Sequence, residues 1–124
     1  MASILRVNTL TDASSNNSTA MSTINQGTAK CWILFNQDTP AITDSFNVAS
    51  VEDNSTGNFL PTFSTNMGNT TYVGHVGYEP EASLASNTAY IDSRAANKFR
   101  STTAENGSNR DIAASSTAIH GDLA

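Results

Sequence analysis

The chain has little of what most enzymes and nucleic-acid binders require. Only one of its 124 residues is cysteine, Cys31. A single thiol excludes an internal disulfide and a cysteine-based zinc cluster. Lysine and arginine number six, scattered singly among 11 acidic residues, and the net charge is −5. No basic stripe exists to neutralise a phosphate backbone, so nucleic acid is excluded as a partner and anionic membrane is disfavoured. No run approaches the roughly 20 apolar residues of a spanning helix, which argues against membrane insertion. Phosphate-loop, nucleophile-elbow and dinucleotide fingerprints are missing. The opening MASILRVNTLTDASS carries Arg6 inside its apolar run, which does not fit a secretory leader and points to synthesis in the cytoplasm.

What is abundant is uncharged polarity: 16 Ser, 16 Thr and 14 Asn. Disordered chains carry many charges and few aromatics. Here charged residues are 14%, and five Phe, three Tyr and one Trp sit in short apolar runs. The chain should therefore fold around a thin core and shield part of its apolar surface against sister subunits.

The apolar runs are short and recur about every ten residues between Gly, Asn, Ser and Pro turns. That spacing predicts an all-β fold, an antiparallel β-sandwich, with no convincing helix. Ile4 to Leu10 reads as a strand and residues 11–23 as a polar arm. Lys30 to Phe35 is the best strand, with Cys31, Ile33 and Phe35 on one face and Trp32 and Leu34 on the other. Both faces are apolar, so both should be covered, the Trp32 and Leu34 side by a subunit interface. Ile42 to Val51 reads as one strand with Ile42, Phe46 and Val48 on a face, and Asp44 on that face predicts a bulge. Asn58 to Phe63 follows, bent or placed at an edge by Pro61. Tyr72 to Tyr78 alternates clearly. Ala89 to Ile91 and Asn97 to Arg100 are weak strands, Thr102 to Arg110 a polar loop, and Ile112 to His120 the last strand.

Candidate chemistry is sparse. Cys31 with His75 or His120 would make a thiolate pair, but a thiol inside the most apolar strand reads as an inert core filler. The acidic residues are dispersed, and no spacing selects a glycosidase couple. His75, Glu79 and Glu81 are close in sequence, yet a solvated strand end is the plainer reading, and no metal or cofactor is assigned. Asp53-Asn54-x-Thr56-Gly57 is similar to a calcium loop but lacks its spaced carboxylates and closing Glu, so it reads as a hairpin turn. Sequons at Asn16, Asn17, Asn54, Asn69 and Asn106 are what this composition yields by chance. Trp32, Tyr72, Tyr78 and Tyr90 have rings that stack on sugars, although core or interface packing is the favoured reading, because each lies in an apolar run.

Residues 27–73, GTAKCWILFNQDTPAITDSFNVASVEDNSTGNFLPTFSTNMGNTTYV, carry a family pattern. Gly27, Lys30, Trp32, Phe35, Asn36, Ser45, Asn47, Val48, Ser50, Asp53, Gly57, Met67 and Tyr72 fit it, and His120-Gly121-Asp122 fits its close. The segment resembles a module of virion structural proteins of marine and other tailed phages, of the fibre, appendage or capsid-decoration type. MASILRVNTLTDASSNNST is similar to the first residues of phage fibre proteins. The resemblance implies a jelly-roll-like, trimeric virion module with no catalytic residues. It implies an attachment strand and arm over 1–22, anchored to capsid or tail proteins through Ile4, Leu5, Val7 and Leu10, and a sandwich domain over 23–124. If the module also meets a host surface glycan, Tyr72, Tyr78 and Tyr90 are the contacts.

Overall fold

Two antiparallel sheets face each other across a shared apolar layer, in a computed structural model that describes residues 3–15, 17–79 and 87–124. In chain order the elements are β1 (Thr9–Thr11), β2 (Ser18–Ala20), α1 (Met21–Gly27), β3 (Cys31–Asn36), β4 (Ala41–Phe46) and β5 (Val48–Ser55). Then come β6 (Asn58–Phe63), β7 (Val73–Tyr78), β8 (Asn87–Ala95), β9 (Lys98–Glu105), β10 (Ser108–Asn109) and β11 (Ser115–His120). The front sheet runs β4-β3-β11-β7. In the back sheet β9 is flanked by β8 on one side and by β6 and short β10 on the other, and β5 lies beyond β6. The all-β sandwich expected from the strand spacing is the fold.

Alternation sets the inner faces. Cys31, Ile33 and Phe35 of β3 are buried, as is Ile119 of β11. From the back sheet come Phe59, Phe63, Ile91 and Phe99. Phe35 stacks on Phe59 with ring centroids 4.7 Å apart, and Phe63 packs edge-on to Tyr72 at 5.8 Å. One end of the layer is polar. Gln37 is buried, and its Oε1 accepts hydrogen bonds from Thr103 Oγ1 (2.9 Å) and Ile112 N (3.0 Å). Ser101 and Thr117 meet hydroxyl to hydroxyl at 3.2 Å. Buried hydroxyls are tolerated when paired, because an unmade hydrogen bond is what makes burial expensive.

Several expectations are corrected. The strand over Ile4 to Leu10 is displaced: β1 begins at Thr9 and pairs with β2 in a small hairpin, so much of the arm is ordered. A helix appears at 21–27, with Met21 and Ile24 half-buried one turn apart, and it crosses the expected boundary at residue 22. Seven residues are too few for a 3.6-residue period to be legible. Ile42 to Val51 is two strands in different sheets. Asn47, at φ 58°, turns the corner between them. Its Nδ2 donates to Lys30 O and Thr65 O, and its Oδ1 accepts from Thr65 N. Phe46 and Val48 therefore lie on opposite sides of a corner and share no face. The bulge expected at Asp44 is present, with Leu34 opposite Asp44 and Phe35 opposite Ile42. Pro61 lies in a central strand. It pairs with Val51 on one side, and the ladder to β9 is interrupted between Phe59 and Thr62, where the missing N–H demands no partner. Thr102 to Glu105 continue β9, so the expected polar loop over Thr102 to Arg110 is mostly strand. Among the described residues no helix is long and apolar enough to cross a membrane.

The turn after β5 depends on Gly57. Its φ is +70°, its N–H donates to Asp111 Oδ1 (2.6 Å), and an added Cβ would lie 2.4 Å from Thr103 O. Gly57→Ala therefore combines left-handed strain with overlap against backbone. A loss of about 2–5 kcal/mol is expected from urea unfolding midpoints. A change below about 1 kcal/mol would contradict this placement.

Candidate functional site

The inward phase of β3 and β11 forces the opposite residues outward. Register then aligns them across the front sheet. Phe46, Trp32, Ala118 and His75 form one row, and Asp44, Leu34, Ser116 and Gly77 the next. The result is an apolar strip open to solvent, with Trp32 39% and Phe46 52% exposed and Leu34 half-buried. A depression of about 520 Å³ lies over it, lined among others by Trp32, Leu34, His75, Gly77, Ser116 and Ala118. Gly77 and Ala118 leave room beside the indole, and Ser116 Oγ donates to Gly77 O (3.2 Å) at the rim. Among the described residues nothing supplies the expected cover over Trp32, and Leu34 is only half-buried.

At the β7 end of the strip, His75 and His120 approach diagonally from neighbouring strands. Their ring centroids are 6.0 Å apart at 79°. Among the described residues neither imidazole has a hydrogen-bond partner. Proximity in sequence groups His75 with Glu79 and Glu81 instead. Glu81 lies outside the described residues, and Glu79 is exposed, its N–H bonded to Ala114 O. The histidines are 45 positions apart, and nothing local signalled their pairing. The sequence pattern likewise puts Phe46 on one face with Val48, because the corner at Asn47 has no hydrophobic signature.

The three tyrosines grouped as glycan contacts fall in three environments. Tyr72 is buried, and its hydroxyl donates to Ala95 O (3.1 Å) and Lys98 O (2.9 Å), so its ring is not available to a sugar. Tyr78 is half-buried in β7, in phase with the inward residues Gly74 and Val76. Tyr90 is exposed on β8, pointing away from the core that Ile91 enters. At the other end of the chain Ile4 and Leu5 are 74% and 79% exposed in an extended segment outside any strand. Val7 is half-buried, and Leu10 is exposed within β1.

Burial pushes the Cys31 thiol up to about 12, and burial does the same to the Tyr72 phenol, also to about 12. A thiol held protonated inside the core is a poor nucleophile. The sign of the linkage follows. Above the ordinary values of 9.0 and 10.0 the unfolded chain releases protons that the folded chain retains. The unfolded state then binds fewer protons, so stability falls as pH rises from about 9 towards 12. Urea midpoints should decline across that window, and Cys31→Ala should flatten part of the slope. A flat profile in the parent protein would refute it.

Among the described residues no group of three or more His, Cys, Asp or Glu could hold a metal ion. No protein-family model, curated protein or solved structure matches the chain.

Proposed function

We propose that this chain is a non-enzymatic phage virion structural protein, a small homotrimeric appendage held to capsid or tail proteins by its N-terminal segment. Its place is the virion, after synthesis in the host cytoplasm. The observation that carries the reading is the front face, where Trp32, Leu34 and Phe46 form an apolar strip that the described residues leave open. Such a patch marks an interaction surface. Four strands about 4.8 Å apart, with about 3.3 Å per residue, make this face about 400 Å². Stable interfaces take about 800 Å² per partner, so the face needs a second contributor. The exposed Ile4 and Leu5 segment is of the right character to add it, and three-fold closure lets each copy use two patches.

Sedimentation at micromolar concentration tests the assembly, with three times the 13.1 kDa chain mass expected. Mass spectrometry of purified particles tests the location, and a chain lacking residues 1–20 should be missing from them. A monomer, or a protein absent from particles, defeats the reading.

A second reading, a receptor-recognition module for host surface glycan, is favoured by Trp32 at the depression beside Ser116 and Gly77. Indole rings stack on sugar faces and hydroxyls bind their rims. A glycan array with no hit that depends on Trp32 removes it.

A further inference from the structure

We infer that His75 and His120 form a bidentate site for a divalent transition-metal ion of the zinc, nickel and copper class. The site lies at the β7 end of the front face that the assembly reading also uses, but it does not depend on that reading. Two imidazoles sharing one tetrahedral zinc at about 2.0–2.1 Å per nitrogen place their ring centroids about 5 Å apart. The observed separation is 6.0 Å, within reach of a small side-chain rotation. The backbone is already in place, because β7 and β11 are adjacent paired strands, with Ala118 opposite His75 and His120 opposite Val73. Both rings face outward, and neither nitrogen pair is spent on a hydrogen bond among the described residues. Lys30 lies just before β3, next to Cys31, which pairs with Ile119. Its ammonium is committed to Asn25 O and Thr28 Oγ1 and so is turned towards α1. Asp122, two residues beyond His120, accepts from Gln26 Nε2 (2.6 Å). The remaining coordination positions open to solvent, where water completes the shell.

Donor chemistry sets the selectivity. Neutral imidazole suits zinc, nickel and copper, whereas magnesium and calcium need oxygen donors that this pair lacks. Two protein ligands make a weaker site than the four of structural zinc centres. The second imidazole acts intramolecularly, so removing either one should cost at least tenfold in affinity.

Isothermal titration of the full chain with zinc chloride near neutral pH is the test. One ion per chain is expected, with no heat from magnesium chloride. His75→Ala and His120→Ala should each weaken zinc at least tenfold, while Cys31→Ala leaves it unchanged. Histidine ring resonances from both positions should move at the same stoichiometry. If His120→Ala does not fold, His75→Ala together with the ring resonances decides. No saturable zinc binding below about 1 mM, or parent-like affinity in the His75 variant, overturns the site.

Discussion

Replacing Phe99 with alanine is expected to remove about 3–5 kcal/mol of stability. Phe99 is fully buried on β9, the strand that carries β8 on one side and β6 on the other. Its ring lies 5.5 Å from Phe63, which in turn packs against Tyr72. The same cluster holds Cys31, Met67, Ile91 and Ile119, so the phenyl group bridges the two sheets. Deleting it removes the transfer energy of the ring and leaves a void whose walls are pinned by paired strands. Small domains are stable by about 5–15 kcal/mol in all, so the variant should lie close to unfolding at room temperature. Far-UV circular dichroism in urea is the appropriate readout, because Trp32 is surface-exposed and its fluorescence reports the front face more than the core. A loss below about 1 kcal/mol would mean that the sheets do not meet at Phe99.

The double change Trp32→Ser, Leu34→Ser is expected to abolish self-association while leaving each subunit folded. Both side chains point away from the core, so the melting temperature of the separated chain should barely move. In the assembly the indole is the natural anchor, since buried aromatic residues dominate interface energetics at about 2 kcal/mol or more each. The dissociation constant should rise at least 30-fold, seen as a sedimentation shift from trimer to single chain. Unchanged sedimentation would dissociate the apolar strip from assembly. The strip's remaining role would then be ligand binding, which the glycan array reads independently.

Much of the local structure was legible along the chain. The alternation of Cys31, Ile33 and Phe35 against Trp32 and Leu34 identified the inner and outer sides of β3, since a pleated strand has period two. Asp44 marked a bulge, and Gly57 marked a turn, although Glu52 to Ser55, read as part of that turn, continue β5. Other elements were illegible for definite reasons. Thr102 and Thr103 read as loop because their hydroxyls count as polar, yet both are buried, as is Ser101 before them. The oxygens of Ser101, Thr102 and Thr103 are paired to Thr117, Asn58 and Gln37, partners 16, 44 and 66 positions away. Which of the glycan-contact candidates is core was not legible: Tyr72 is fixed inside by two carbonyl acceptors on the distant β8–β9 hairpin.

The amino-acid order alone determined that this is an all-β chain with two-sided apolar strands and no local cluster of reactive groups. Those properties follow from composition and from a two-residue period, which each segment carries within itself. Tertiary structure decided which side of each strand stays bare, that Asn47 divides one apparent strand between two sheets, and that His75 meets His120. These depend on which strands become neighbours, and neighbours are selected by non-local packing and hydrogen bonding that no single segment encodes.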